Sequence, residues 1–291
     1  MADFLFSDGP IKALQELSSP LLDVLFLVIT STGSTLFLLA VTLLIYWLWD
    51  KRVGLLLGVV LLSSAAVNGL LKLLFDMSRP PSELHRTYAA GNGFPSGHAQ
   101  QSTVFWSTAA FSLRGFWVPT ATTLIVLVAL SRVYLGVHFI GDVLGGIAFG
   151  FIASVVGFAV YRAGFWRSLD LRAKLSMAIL LPSLFAGALY VAGQDITRIW
   201  GVLMGITVGY LLEAEWVGME RPSGARSVII RLLVGGPALA GLYAVSWWLS
   251  DPLLVLAFHV TLGLAVTLLL PWTFSKLEAL LLGRGRPGGQ E

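Results

Sequence analysis

Cysteine is absent from the 291-residue chain, which excludes disulfide bonds and metal sites built from thiolates. Charged residues are scarce, at 12% of the chain, whereas an ordinary soluble domain has about 25%. Hydrophobic residues make up 56% of the chain and come in long continuous blocks. The opening residues do not have the basic start and apolar stretch of a cleavable signal peptide. Composition therefore favours an integral membrane protein.

The apolar blocks predict the architecture. A membrane-spanning helix needs about 20 mostly apolar residues, and several segments of the chain meet or approach that length. We therefore predict an all-α fold, a polytopic membrane helical bundle of about nine transmembrane helices. The first segment is long enough to tilt or to bend near Gly33. The predicted segments are 21–49, 53–75, 97–113, 117–133, 138–161, 174–192, 196–212, 228–249 and 253–272.

Four regions follow from this division of the chain. The spaced apolar residues of 1–20 predict a short helix lying at the membrane surface, with a disordered tail as the alternative. Residues 21–165 are expected to form a catalytic core of five helices, and residues 166–283 to add further transmembrane helices. The polar, glycine-rich end 284–291 is expected to be disordered.

Basic residues are distributed unevenly about the predicted spans. Counting crossings puts loops 76–96 and 134–137 on one side of the membrane and 13 of the 19 Lys and Arg residues on the other. By the positive-inside rule the side with 13 cations is cytoplasmic. We therefore expect a protein of a membrane such as the bacterial inner membrane, with both loops facing the periplasm, exterior or lumen and a cytoplasmic C-terminus. The 13 cations are Lys51, Arg52, Arg114, Arg162, Arg167, Arg172, Lys174, Arg221, Arg226, Arg231, Lys276, Arg284 and Arg286.

Three polar segments, 72–80, 95–98 and 131–142, lie at membrane edges on the outer side. Each contributes groups suited to binding phosphate. Three cations meeting at one edge would repel one another unless an anion joined them, and guanidinium groups match phosphate oxygens in pairs. A serine and a glycine at a helix start add a hydroxyl and exposed backbone N–H groups. The predicted phosphate-binding residues are Lys72, Arg79, Ser96, Gly97 and Arg132.

Two histidines begin predicted helices beside these groups. His138 and Asp142 are four residues apart, on one face of a helix, so the carboxylate can fix the ring tautomer and leave the other nitrogen free to attack. His98 can protonate the leaving oxygen and later activate water. A lone Lys at a helix end is more often a snorkelling anchor than a ligand. All three segments nevertheless lie on one side of the membrane, and ionisable residues within membrane segments are costly unless they have a function. Their combination therefore supports phosphate transfer through phosphohistidine.

The three segments resemble the signature of the type-2 phosphatidic acid phosphatase superfamily, which is Lys-x6-Arg-Pro, Pro-Ser-Gly-His and Ser-Arg-x5-His-x3-Asp. Every signature position is matched, over roughly residues 50–165. The resemblance implies an all-helical core in which the same five residues hold phosphate. It also implies His138 as nucleophile, Asp142 as its partner and His98 as general acid. No metal or cofactor is implied, and vanadate is expected to mimic the transition state.

The predicted topology differs from that of common members of this superfamily, which have six spans and two cytoplasmic termini. Here only two predicted spans precede the second motif, and four follow the fifth span. Nine spans with an outer N-terminus resemble the glucose-6-phosphatase branch, although a likeness of topology is only an analogy for the substrate.

The leading functional prediction is a membrane phosphatase whose partner is a lipid phosphate such as phosphatidic acid, phosphatidylglycerophosphate or a polyprenyl phosphate or pyrophosphate. Alternatives are a sugar-phosphate phosphatase, a phosphotransferase to an acceptor other than water, and a non-enzymatic anion transporter. No nucleic-acid partner is expected, and the oligomeric state is open. Three loop residues are candidates for contacting the rest of the substrate or for a solvated loop, and they are His85, Arg86 and Tyr88. Glu213, Glu215 and Glu220 are expected to form a solvated charged turn of a cytoplasmic loop.

Overall fold

The computed structural model of the chain describes residues 2–112, 117–191 and 196–282. Within these ranges every regular element is helical and no strand occurs, as the all-α prediction requires. A π-helical turn, Ala265–Leu269, joins the last two α-helices. The α-helices are α1 Ala2–Leu5, α2 Gly9–Gln15, α3 Pro20–Ser31, α4 Thr35–Leu48, α5 Lys51–Phe75, α6 Gly97–Ser112, α7 Trp117–Tyr134, α8 Ile140–Ala163, α9 Leu171–Val191, α10 Thr197–Trp216, α11 Ala225–Ser246, α12 Pro252–Leu264 and α13 Leu270–Leu282.

Helices occupy each of the predicted apolar segments within the described residues. The first segment is the pair α3 and α4, which bends by 54° at the break that contains Gly33. Among the described helices, 5 are long and apolar enough to cross a membrane, or 6 if the bent pair is one span. Helices α6, α7 and α10 are too short or too polar to be counted among them. The predicted count of nine spans is therefore not confirmed.

The chain divides into two compact units, and helices α4 and α5 each contribute to both. The first unit is Met1–Thr42 with Leu56–Ala163, and the second is Leu43–Leu55 with Gly164–Glu291. The sequence-based domain boundaries stay predictions, and the expected disordered tail 284–291 lies outside the described residues.

In the first unit, α8 docks closely against α6 through small residues spaced four apart. A Cβ added at Gly146 would lie 2.6 Å from the carbonyl oxygen of Ser96, and one added at Gly150 would lie 2.6 Å from that of Gln100. One turn further on, the Ser154 hydroxyl donates to a carbonyl of α6 at 3.2 Å. Small residues let helix backbones approach each other. The start of α6, with the Ser96–His98 motif, is therefore held directly against α8.

A buried amide network fixes α5 to the start of α6. Asn68 donates through Nδ2 to the Gln100 Oε1 at 2.8 Å and to the carbonyl of Pro95 at 3.3 Å. Gln100 in turn donates through Nε2 to the Ser64 hydroxyl at 2.8 Å and to its carbonyl at 3.1 Å. All three side chains are buried. A buried hydrogen-bonded network of this kind favours one arrangement of the helices that share it.

The N-terminal segment folds against this unit. Ile11 in α2 is fully buried and belongs to an apolar cluster with residues of α6, α7 and α8. Between α1 and α2, the ring of Phe6 covers Gly141 and lies 6.3 Å from the ring of Phe139. The described part of the segment is thus helical and packed on the unit. Its location at the membrane surface stays a prediction.

The second unit is built on an equally close helix pair, α10 and α12. Gly201, Gly205 and Gly209 follow one another at intervals of four, and a Cβ added at Gly205 would lie 2.2 Å from the carbonyl oxygen of Val260. Beyond this contact the chain passes through the π-helical turn, where carbonyls of the turn accept hydrogen bonds from the Trp47 indole at 3.0 Å and from a tyrosine hydroxyl at 3.2 Å. These donors satisfy backbone groups that the irregular turn releases.

The expected solvated turn of glutamates is wrong for one of its members. Glu213 is fully buried, and its carboxylate pairs with Lys51 at 2.8 Å and accepts the backbone N–H of Met219 at 2.5 Å. A second buried pair joins Arg231 to Glu278 at 2.8 Å. Since a buried charge needs a partner, these ion pairs hold helices of the second unit together, and both carboxylates are buried away from water.

Candidate active site

The central group of the candidate site is the imidazole of His138, which is 2% exposed. Its Nδ1 lies 3.2 Å from Oδ2 of Asp142, and its Nε2 lies 3.0 Å from Nη1 of Arg79. A carboxylate only accepts hydrogen bonds and a guanidinium only donates them. The ring therefore carries its proton on Nδ1 and presents the lone pair of Nε2 toward Arg79.

The start of α8 explains why Asp142 can hold this ring. The sequence predicts a helix that begins at His138, but α8 begins at Ile140, and His138 lies in the loop before it. Asp142 is the third residue of the helix, and its Oδ2 also accepts the backbone N–H of Phe139 at 3.0 Å. A carboxylate at this position reaches back to the N-cap residue and satisfies a backbone donor that the helix leaves free. The same bond keeps the carboxylate aimed at the loop.

Arg79 is held by carbonyl groups of two loops. Its Nε donates to Gly91 at 2.8 Å, its Nη2 to Ala90 at 2.9 Å and its Nη1 to Val137 at 2.8 Å. The guanidinium is planar and its donors point in fixed directions, so three carbonyls set both its position and its plane. Arg79 thus links loop 76–96 to the loop that carries His138.

Lys72, in the last turn of α5, folds back on loop 76–96. Its ammonium donates to the carbonyls of Asn92 and of Gly93, the latter at 3.2 Å. Asn92 returns the contact, because its Nδ2 donates to the carbonyl of Lys72 at 2.8 Å. The position is tight, since a Cβ added at Gly93 would lie 3.2 Å from Oδ2 of Asp142. These contacts bring the first predicted segment next to the third.

Arg132 and Ser96 are buried and have unused hydrogen-bonding groups. Arg132 donates from Nη1 to the hydroxyl of Thr30 at 2.7 Å, but its Nε has no partner among the described residues. The hydroxyl of Ser96, which is 0% exposed, also lacks a partner among the described residues. Ser96 takes the predicted N-cap position, because its carbonyl accepts the N–H of Gln100 at 3.0 Å. Its hydroxyl does not cap the helix, and an unbonded buried hydroxyl calls for an explanation.

The remaining residues of the second motif stand at the start of α6. Gly97 opens the helix, and the N–H of Ser96 donates to the carbonyl of Asp142 at 2.9 Å, which ties this helix start to α8. The ring of His98 is half-buried, and it lies close enough to His138, Arg79 and Arg132 for their charges to interact. All three predicted segments therefore meet at one place in the first unit.

Burial and positive charge determine the protonation of the loop groups. Burial lowers the pKa of His138 well below its ordinary value of 6.5, and the nearby cations Arg132, Arg79 and Lys72 lower it further. Burial also lowers the pKa of Arg79, opposed by the charge of Asp142. Arginine keeps its charge in proteins despite such a shift. At neutral pH the site thus combines a neutral imidazole with a cationic guanidinium.

The three candidate loop residues have different surroundings, and their contact with substrate stays a prediction. Nε2 of His85 lies 3.0 Å from the carbonyl oxygen of Pro80. Arg86 is ion-paired with Asp23 at 2.8 Å. Tyr88 is 89% exposed. Of the three, Arg86 is thus already engaged by a carboxylate of the chain.

Several supporting residues were not found from the sequence. Asp23 and Thr30 of α3 contact the loops or Arg132, while Asn68 and Gln100 hold the helices beneath the site. The only available signal was the occurrence of single polar residues inside apolar helices, which are costly unless bonded. Within ranges 2–112, 117–191 and 196–282, no three His, Asp or Glu side chains converge as a group that could hold a metal ion.

Comparison with known proteins gives two family matches. The PAP2 superfamily matches residues 53–169, and the transmembrane extension of PAP2 superfamily phosphatases matches residues 197–282. Phosphatidylglycerophosphatase B of Bacillus subtilis is 30% identical over 158 residues, which are 48% of this chain and 76% of that protein. Lipid A 4'-phosphatase of Porphyromonas gingivalis is 43% identical over 74 residues, which are 24% of this chain and 29% of that protein.

Among solved structures, the first transmembrane PAP2 type phosphatidylglycerolphosphate phosphatase from Bacillus subtilis is similar to this chain. It is 28% identical, with a TM-score of 0.49, over 54% of this chain and 84% of the other.

Proposed function

Because the chain belongs to the PAP2 superfamily, we propose that it is an integral membrane phosphatase that hydrolyses a phosphate monoester or pyrophosphate of a lipid through a phosphohistidine. The observation that carries this proposal is the bonding of His138 between Asp142 and Arg79, at 3.2 Å and 3.0 Å. One neighbour fixes the proton on Nδ1. The other is a phosphate-binding cation beside the nitrogen that remains free to attack.

In the first step, Nε2 of His138 attacks phosphorus, so that a P–N bond forms as the P–O bond to the leaving group breaks. The leaving oxygen takes a proton from His98. Asp142 accepts the Nδ1 hydrogen bond and stabilises the positive charge that develops on the ring. The negative charge on the phosphoryl oxygens is stabilised by Arg79, by Arg132 and by the N–H groups at the start of α6.

In the second step, water attacks the phosphorus of phosphohistidine and the P–N bond breaks. His98, now neutral, takes the proton of that water, and phosphate leaves with His138 restored. The unused polar groups support this assignment, because Nε of Arg132 and the hydroxyl of Ser96 are buried without a partner among the described residues, in two of the three motifs that meet at the site. Phosphate oxygens would satisfy both groups.

A lipid is favoured as the substrate by the surface next to the site. The last turn of α5, which carries Lys72, also exposes Leu73, Leu74 and Phe75 at 45%, 68% and 47%. A phosphate bound at the ammonium would therefore have apolar side chains next to it, where the tails of its own lipid can lie. The similar proteins of Bacillus subtilis and Porphyromonas gingivalis are likewise named as lipid phosphatases. We further propose that the site faces the periplasm, the exterior or a lumen.

The proposal is tested by replacing the nucleophile. His138→Ala should abolish release of phosphate from a lipid phosphate in detergent micelles, because it removes the nitrogen that is proposed to attack phosphorus. His259→Ala, which alters a buried histidine of the second unit bonded to the carbonyl of Val255, serves as a matched control and should stay active. Brief reaction of the native chain with radioactive substrate should label His138 in an acid-labile form.

Excess chelator should leave the native rate unchanged, since the proposed chemistry uses only groups of the protein and water. Undiminished turnover in His138→Ala would refute the histidine nucleophile. Loss of activity in chelator would refute the metal-free mechanism.

A further inference from the structure

Two side chains near the N-terminus, one in α2 and one in α3, each connect the two loops of the active site. The first is Gln15, the last residue of α2. Its amide nitrogen donates one hydrogen to the carbonyl of Leu84 at 2.9 Å and the other to the carbonyl of Tyr134 at 2.9 Å. Leu84 belongs to loop 76–96, and Tyr134 ends α7 just before the loop of His138. Both donors of this amide are therefore used to hold the two loops together.

The second side chain is Asp23 in α3. Its two carboxylate oxygens accept hydrogen bonds from Nη1 of Arg86, Oδ1 at 2.8 Å and Oδ2 at 2.9 Å. Oδ1 also accepts a hydrogen bond from the hydroxyl of Tyr134 at 2.6 Å. The guanidinium of Arg86 lies 5.6 Å from the centre of the Tyr134 ring, which adds a cation–π contact. Arg86 belongs to loop 76–96, so Asp23 joins the same two parts of the chain as Gln15, through different atoms.

The two loops meet directly between these side chains. The N–H of Arg86 donates to the carbonyl of Leu135 at 2.9 Å. Gly136 has φ +70°, and a Cβ there would lie 2.0 Å from the carbonyl oxygen of Leu84. Only glycine fits such a close approach in the left-handed region. The loops are therefore in contact where Gln15 and Asp23 bridge them, a few residues from Arg79 and His138.

We propose that Gln15 and Asp23, here called the N-terminal clamp, are positioning residues for catalysis. Neither side chain contacts His138, and both lie outside residues 53–169, which match the superfamily. The clamp sets the distance between the loop of Arg79 and the loop of His138, where Nη1 of Arg79 lies 3.0 Å from the attacking Nε2 of His138. A displacement of about 1 Å in such a pair can lower a rate by about 100-fold. The inference rests on the proposed phosphatase function.

Kinetics distinguish a positioning role from a role in stability alone. Gln15→Ala and Asp23→Ala should each lower kcat by about 10- to 100-fold. KM should change little, because phosphate binding uses residues that remain. The inhibition constant of orthovanadate, which mimics the transition state, should rise in parallel with the loss of kcat. A loss of folded protein alone would lower the amount of active enzyme without changing that constant.

Two control variants remove comparable charges elsewhere. Asp8→Asn removes a carboxylate of the same N-terminal segment, paired with Lys12 at 3.6 Å. Asp50→Asn removes the partner of Arg221 in the second unit, where the pair measures 3.1 Å. Neither carboxylate touches an active-site loop, so both variants should retain the native kcat and the native vanadate constant.

A double-variant experiment tests whether the clamp acts through Arg79. In an Arg79→Lys background, Asp23→Ala should have a much smaller effect than in the native chain, because lysine lacks the planar fork that the clamp aligns. An equal fold-loss in both backgrounds would overturn the proposal, and so would an unchanged vanadate constant in both clamp variants. If the native chain releases phosphate and His138→Ala does not, while the clamp variants behave as native, the clamp proposal is refuted and the proposed function stands. No release by the native chain would instead refute the proposed function.

Discussion

At the residue scale, the proposed mechanism places two opposing requirements on His138. The ring must be neutral to attack phosphorus, yet it must tolerate a positive charge once it is phosphorylated. Burial and the cations near it keep the free ring neutral, because both lower its pKa. In the proposed transfer, the carboxylate of Asp142, 3.2 Å from Nδ1, then stabilises the positive charge of the ring. The same surroundings thus serve both states of the ring.

This protonation state has a consequence for the pH dependence of the reaction. Protonated His138 has no lone pair on Nε2, so kcat/KM should fall as the pH drops through the pKa of this ring. Since that pKa is well below 6.5, the acid limb should lie well below the position expected for an ordinary histidine. Arg79→Gln removes a cation that lowers the pKa, so the limb should move to higher pH. The measurement is a kcat/KM profile of both proteins.

The substrate phosphate also titrates, but its contribution is common to the two proteins and cancels from the difference between their profiles. Arg132→Lys keeps the charge and serves as the control, in which the acid limb should move less than in Arg79→Gln. An acid limb that stays in place, or moves to lower pH, in Arg79→Gln would contradict the proposed assignment of His138.

At the element scale, the geometry of the candidate active site depends on how closely α8 approaches α6. A Cβ at Gly146 would lie 2.6 Å from the carbonyl oxygen of Ser96, too close for the backbones to stay where they are. Gly146→Ala should therefore push the start of α6 away from α8 and lower both activity and stability. Overpacking of this kind typically costs about 1–3 kcal/mol. Thermal unfolding in detergent and phosphate release measure the two effects.

Gly187 in α9 gives the matched control for this substitution. A Cβ there meets no described atom within 4 Å. Gly187→Ala should keep full activity, with stability equal to or slightly above that of the native chain, because alanine has the higher helix propensity by about 1 kcal/mol. Native stability and activity in Gly146→Ala would show that α6 and α8 tolerate a wider separation.

The sequence predicted the helical elements and the grouping of the three motifs well, since both depend on local patterns. Long apolar runs mark helices, and motif spacing places charges at helix ends. The helix start at Ile140 was misplaced by two residues, because the return of the Asp142 side chain to the N-cap is a three-dimensional contact. The burial of Glu213 was missed for a similar reason, since its partner Lys51 is 162 residues away. The clamp residue Gln15 had no local signal either.

At the scale of the whole molecule, the number of crossings decides which loops share a side of the membrane. Between loop 76–96 and the loop before α11, the sequence predicts five spans, an odd number, which puts these loops on opposite sides. By length and hydropathy only two described helices between them qualify, Ile140–Ser168 and Leu171–Tyr190. Two crossings would put both loops on one side. Whether the number of crossings is odd or even therefore depends on whether the shorter or more polar helices α6, α7 and α10 also cross the membrane.

We expect the odd count, because the cations then collect on the cytoplasmic side, as the positive-inside rule requires. The absence of cysteine from the chain allows a direct measurement. Ser82→Cys and Ser223→Cys each change one exposed serine, the first in loop 76–96 and the second just before α11. A membrane-impermeant maleimide should label the Ser82→Cys protein in intact cells and the Ser223→Cys protein only after permeabilisation.

Labelling in detergent provides the control for this experiment, because both thiols should then react. Equal labelling of both variants in intact cells would support an even number of crossings and exclude the nine-span topology. Labelling of the Ser223→Cys protein alone would reverse the orientation and put the proposed site on the cytoplasmic face. The chemistry of His138 would stand in either case, since it depends on contacts within the first unit, but the lipid phosphate would have to come from the other leaflet.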